Sequence, residues 1–187
     1  MKSKEKDYYR SLYEVAMVIN SSLDPATVLA KIAEQVTLAI EAKACSIRLL
    51  DKQGKRLLLG TSYGLSKGYL RKGAVEIEKS GLDQEALAGK SVTIRDARTD
   101  PRFQYPEKAR EEGIASVMVI PLMIEDRAIG VLRVYSATCR DFAPEEAEFL
   151  TVIANLSAIA IENARLHQAL KADYELLAAY EYRLFDD

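Results

Sequence analysis

Residues 116–124 and 127–135 are rich in Val, Ile and Leu and are separated by only Glu125 and Asp126. Such runs form strands, and a two-residue link returns the chain alongside itself, so the two strands must be antiparallel neighbours. A doubly wound parallel sheet, which needs long crossovers between strands, is thereby excluded. A second hairpin lies upstream. Cys45, Ile47 and Leu49 alternate with Ser46, Arg48 and Leu50, residues 51–54 turn the chain at Gly54, and residues 57–63 return.

Helices surround these hairpins. Leu12, Ala16, Ile19 and Leu23 fall on one helical face, which stops near Asn20–Ser22. Asp24 is a good N-cap and Pro25 a good first-turn residue for a second helix, whose apolar face is Val28, Leu29, Ile32, Val36, Ala39 and Ile40. Irregular structure is expected between Gly64 and Gly89, apart from a short helical piece at residues 83–88. A strand at 91–94 and a helix over Pro106–Glu112, stopped by Gly113, follow. From Pro144 no Gly or Pro interrupts the chain to Asp187, which predicts one long helix. The order predicts an α+β domain: a central antiparallel β-sheet with the terminal helices on one face and a pocket-covering insert of loops and short helices on the other. Inserts of about 50 residues are uncommon inside compact domains unless functional. The space between insert and sheet is therefore the first place to seek a ligand.

Composition removes other classes. With 26 basic and 28 acidic side chains interspersed along 187 residues, the net charge of −2 offers no field for nucleic acid. The uncharged apolar stretches fall short of a membrane span, so no membrane partner is expected. The N-terminus lacks a secretory signal and the two cysteines, Cys45 and Cys139, form neither a disulfide framework nor a metal pair, which points to the cytoplasm. A single histidine, His167, leaves little room for His-based catalysis or zinc ligation.

The segments Leu23-Asp24-Pro25, Cys45–Asp51, Val92–Asp96 with Asp100-Pro101-Arg102-Phe103, Ser116–Leu122, Ile129–Leu132 and Ile161–Leu166 together resemble a GAF domain in order and spacing, over about residues 10–168. The resemblance implies a central antiparallel sheet, a regulatory small-molecule pocket and use as a sensor or dimerisation module in bacterial signalling chains. It names no ligand. Cyclic-nucleotide-binding members carry an Asn-Lys pair after the last strand and a Phe followed by a spaced Asp-Glu. Here Val134-Tyr135-Ser136 ends the strand and Phe142 precedes Ala143-Pro144-Glu145-Glu146, which disfavours cyclic nucleotides. Bilin-attaching and haem-binding members use a pocket Cys-His or His, whereas His167 lies on the terminal helix. No haem, bilin or metal signature is present, and the cofactor is unknown. Free-methionine-sulfoxide reductases, which resemble this domain, use loop cysteines, and only Cys139 lies in a loop.

Arg48 and Arg133 interrupt apolar strands. If the first and last strands are neighbours, as the resemblance suggests, the two arginines share a face with Ser46 and Tyr135 and form a pocket for a carboxylate or phosphate; otherwise they extend into solvent from an exposed sheet face. Asp96, Phe103 and Tyr105 belong to the loop expected to roof the pocket, and Ser116 and Met118, on one phase of their strand, are further lining candidates. On the long helix Leu156, Asn163, Leu170, Leu177 and Leu184 recur every seven residues, with Ile159 and Leu166 three residues later, as in positions a and d of a coiled coil. With Leu12 and Ile19 of the first helix they form the candidate dimer helices.

The expected organisation is a dimerisation helix at 1–22, a GAF-like domain at 23–160 and a helical extension at 161–187. The expected function is that of a sensory module in bacterial signal transduction, a homodimer that binds an unidentified small molecule and acts through its terminal helices. It is not expected to be an enzyme. The alternatives are a redox enzyme acting through Cys139 and a ligand-free dimerisation spacer, whose covered sheet face should be filled with apolar side chains. The chain holds no kinase, cyclase or DNA-binding segment, so it is expected to be a standalone adaptor or the sensory part of a longer signalling protein with its own output domain.

Overall fold

The computed structural model describes residues 2–21 and 24–184, with side chains described for 8–20 and 24–176. Two helices, α1 (Lys2–Ser21) and α2 (Pro25–Ala39), precede the strands β1 (Ala44–Leu50) and β2 (Arg56–Tyr63). The insert then supplies α3 (Lys67–Leu70), β3 (Val75–Glu76), a 3-10 turn at Ile77–Lys79, α4 (Gly81–Leu87), β4 (Val92–Ile94) and α5 (Pro106–Glu112). The hairpin β5 (Ser116–Ile124) and β6 (Arg127–Ser136) leads into α6 (Pro144–Leu184).

Local chemistry explains the boundaries. The Asp24 carboxylate accepts the backbone N–H groups of Ala26 and Thr27 at the start of α2, and Gly113 ends α5 in the left-handed conformation at φ 71°. Within the insert, Ser66 accepts the Tyr69 N–H to start α3, and β3 pairs with β2 at the sheet edge. The segment expected to be irregular is thus more ordered than its glycines suggest.

The strands form one antiparallel six-stranded sheet in the order β3-β2-β1-β6-β5-β4, which makes β1 and β6 central neighbours. Cys45, Ile47, Met118, Ile120, Leu122, Leu132 and Val134 point to one face, where they pack with α1, α2 and α6 through Val15, Ile32, Val36, Phe149, Leu150 and Ile153. Leu57, Val117, Val119, Val131 and Tyr135 point to the other, against Tyr69, Leu82, Ala86, Phe103 and Ile114 of the insert. Each fully buried Leu, Ile or Val of these two layers contributes about 1.5–3 kcal/mol. By length and composition alone Pro144–Leu176 is apolar enough to cross a membrane, although its longest uncharged run is residues 149–161. The buried residues at the start of α6 are part of the helix-side core.

The β1–β6 seam depends on Gly130. A Cβ there would lie 2.2 Å from the Arg48 carbonyl oxygen and 3.0 Å from the Leu49 Cα, both backbone atoms that cannot swing aside. Gly130→Ala is expected to cost about 1–3 kcal/mol of stability, measurable as a lower urea midpoint.

Candidate functional site

The strand period places Ser46 and Arg48 of β1 opposite Arg133 and Val131 of β6, all on the insert-facing side. Arg48 is 1% exposed and Arg133 2% exposed, so neither extends into solvent. The Ser46 and Tyr135 hydroxyls are 3.0 Å apart. Arg133 is paired. Its Nε donates to Asp83 Oδ1 at 3.2 Å and its Nη2 to Asp83 Oδ2, and Asp83 on α4 is fully buried. Ser80 donates its hydroxyl to the same carboxylate at 2.5 Å, which fixes Asp83 from its own helix. Arg48 differs from Arg133. Its Nη1 donates to the Leu57 carbonyl at 3.3 Å, while its Nε is buried with no hydrogen-bond partner among the described residues.

The insert adds a third basic group. Lys72, half-buried in the turn after α3, donates to the Tyr69 hydroxyl at 2.7 Å. Its Nζ lies 3.9 Å from the Tyr69 ring centre, 4.8 Å from that of Tyr105 and 5.7 Å from that of Phe103. Burial, and then the charges of Arg133 and Arg48, push the Lys72 pKa down to about 6 against the opposing pull of Asp83 and Glu112. Burial also pushes the Tyr69 phenol up, so it remains protonated. Tyr105 donates to the Ala74 carbonyl at 3.0 Å, and Gln104 accepts the Glu76 N–H at 3.0 Å, tying this loop to the edge strand. Phe103 is buried, with the Arg133 guanidinium 6.0 Å from its ring centre.

The structure therefore brings Ser46, Arg48, Arg133, Tyr135, Phe103 and Tyr105 together. The other three pocket candidates lie elsewhere. Met118 packs in the helix-side core because its phase on β5 is the one facing α6. Ser116 shares that phase at the strand end, where its hydroxyl lies 2.8 Å from the Arg95 carbonyl oxygen and accepts the Arg140 N–H at 2.7 Å. Asp96 accepts from the Arg98 guanidinium at 2.7 Å twice and lies 3.6 Å from the Cys139 sulfur, and these partners hold its pKa below the usual carboxylate range. Tyr69, Lys72, Ser80 and Asp83 are site residues that sequence reasoning missed. The pattern Ser80-Gly-Leu-Asp83 at a helix start is a signal for Asp83; a lysine among glycines gives none.

The sequence pattern of the GAF domain matches residues 24–161. The chain belongs to the GAF domain family. The GAF domain of a phosphoenolpyruvate-protein phosphotransferase from Coxiella burnetii superposes with a TM-score of 0.77 at 21% identity, covering 88% of this chain and 98% of that one. The free methionine-R-sulfoxide reductase of Neisseria meningitidis superposes with a TM-score of 0.72 at 22% identity over 86% of this chain and 91% of that one, which extends the likeness in fold to an enzyme. Among curated proteins, the Nif-specific regulatory protein of Azorhizobium caulinodans is 23% identical over 92% of this chain, a match that spans only 28% of that regulator. This GAF domain thus has the form of one carried by regulatory proteins. Its candidate site, between the insert and the sheet, draws on residues of β1, β6, α3, α4 and the loop before α5.

On the helix side, Leu12, Ile19 and Leu156 are partly buried against the domain's own core, so the first two are not the outward face of α1. That face is Tyr9, Tyr13 and Met17, all exposed. On α6 Ile159, Asn163, Leu166 and Leu170 are exposed, and the side chains of Leu177 and Leu184 lie outside the described residues. Tyr8 stacks on Phe149 at 4.7 Å, joining α1 to the start of α6. Beside that stack a groove of about 300 Å³ is lined by Tyr9, Leu12, Glu145, Glu148 and Val152.

Proposed function

We propose that this GAF domain is a sensory module of bacterial signal transduction that binds a small molecule between insert and sheet and passes the signal to a homodimer of terminal helices. The observation that carries this reading is the polar set Ser46, Arg48, Ser80, Asp83 and Arg133, all buried on the insert-facing side of the sheet. A spacer would fill that layer with apolar side chains, because buried charge is costly when it does no work. The site is also connected to the output helix. Arg133 lies on β6, and seven residues on, Arg140 pairs with Glu146 of α6 at 2.7 Å while Glu146 accepts the Ala143 N–H at 2.8 Å. A ligand that changes the packing of α4 on β6 would bias how α6 leaves the sheet.

The exposed apolar residues of α1 and α6 support the dimer, and regulatory relatives support a cytoplasmic location within a larger signalling protein. A redox enzyme is the weaker reading: Cys45 is buried in the helix-side core, where burial raises its pKa, and Cys139 is exposed on a loop. Cys139 is accessible, but exchange to a disulfide needs a second accessible thiol, and Cys45 is not one. Native mass spectrometry tests the proposal. A dimer mass carrying a small molecule released on denaturation is expected; a bare monomer would overturn it.

A further inference from the structure

We propose that this site takes a small carboxylate, held between the Arg48 guanidinium and the Lys72 amine. The inference rests on the reading of the site as a ligand pocket and names the ligand's chemistry.

Asp83 engages Arg133 through both of its oxygens, and no ion pair to Arg48 exists among the described residues. Arg48 is as deeply buried as Arg133, so its charge needs compensation that the protein does not supply. A neutral ligand would leave it uncompensated, and a cation would add repulsion. A carboxylate suits the donor fork of a guanidinium, and the unpartnered Nε–H is one tine of that fork. Tyr69, Phe103 and Tyr135, all buried, belong to the same insert-facing layer as Arg48.

The groups facing Lys72 set how its protonation responds to a bound anion. They are Tyr69 on α3, Phe103 and Tyr105 on the loop, Arg48 on β1, Arg133 on β6, Asp83 on α4 and Glu112 on α5. Glu112 is engaged at the rim, where it accepts the Ser66 N–H at 2.8 Å and the Ser66 hydroxyl. With its pKa near 6, Lys72 is mostly uncharged at neutral pH, and the buried layer carries one surplus positive charge from Arg48. A monoanion balances that surplus. Once bound, it attenuates the field of Arg48 at Lys72 and favours the ammonium form. Binding therefore takes up a proton, and affinity weakens as pH rises, by up to about tenfold per pH unit between the free and bound pKa values of Lys72. The carboxylate itself, with an ordinary pKa of about 4, stays ionised throughout.

The test is a titration of the full chain, followed through the Arg48 Nε–H resonance, with acetate, propionate, inorganic phosphate, acetamide and methylammonium at pH values of about 6.5 to 8. Saturable shifts with the carboxylates, weakening several-fold to tenfold per pH unit, are expected. Arg48→Met should lower their affinity at least tenfold by calorimetry, and Lys72→Met should weaken binding at pH 6.5 to about the level of the unaltered chain at pH 8 and remove the pH dependence. If Arg48→Met fails to fold, Arg48→Lys keeps the charge without the fork and should still bind more weakly. Saturation by phosphate but not by carboxylates overturns the choice of ligand, as does saturation by acetamide or methylammonium; either would leave the pocket reading intact. Saturation by none of the five overturns both.

Discussion

Asp83→Ala is expected to destabilise the domain by about 3–5 kcal/mol, a large fraction of the total stability of a domain this size. The substitution removes little volume and leaves the Arg133 guanidinium, 2% exposed, without its carboxylate in a layer closed by Phe103 and Tyr135. The magnitude belongs to the orphaned charge and not to the pair, because desolvation of both ions offsets most of their attraction while both are present. The double variant Asp83→Ala, Arg133→Met should therefore recover much of the loss. Urea unfolding of the two single variants and the double variant measures the coupling directly. Additive losses would show that Arg133 draws its stability from other groups. The location matters for function as well: Asp83 is contributed by the insert and Arg133 by the central strand, 50 residues apart in sequence, so the pair ties the roof of the site to its floor.

Much of this fold is legible in local sequence, and the reasons are physical. Asp24-Pro25 satisfies and pre-forms a helix start, Gly113 adopts the left-handed conformation that ends a helix, and Glu125-Asp126 leaves room only for a hairpin. Period-two alternation gave β1 two unlike faces, so Ser46 and Arg48 separate cleanly from Cys45 and Ile47. On β5 it failed. Both phases from Val117 to Leu122 are apolar and both are buried, so no local signal says that Met118 belongs under α6 and Val119 under the insert. Lys72 was illegible for a different reason. Its charge is perturbed by residues 24 and 61 positions away in sequence, Arg48 and Arg133, and only the path of the insert brings them to it.

Leu166→Glu with Leu170→Glu is expected to convert the dimer proposed above to a monomer at micromolar concentration while leaving the urea midpoint of the monomeric domain unchanged. Leu166 is 59% and Leu170 69% exposed, so neither contributes to the core of its own chain. They occupy d and a positions of heptads in which Val152, Ile159 and Leu166 repeat by seven, as do Leu156, Asn163 and Leu170. The helix has 41 residues, about 60 Å at 1.5 Å per residue, so its far end extends well beyond the sheet. Burial of one leucine is worth about 1.5–3 kcal/mol, and a two-fold dimer would lose four of them, which exceeds the association energy of a micromolar complex of about 8 kcal/mol at the upper end. Sedimentation equilibrium reads the outcome. An unchanged dimer would move the interface to Tyr9, Tyr13 and Met17 of α1, an exposed apolar stripe. Asn163→Leu discriminates further: a polar a position fixes register at a cost in stability, so this variant should tighten the dimer and weaken its preference for one register. Tightening without loss of register would indicate that the position of α6 is set where it is rooted, by Arg140 and Glu146, and not along the coiled coil.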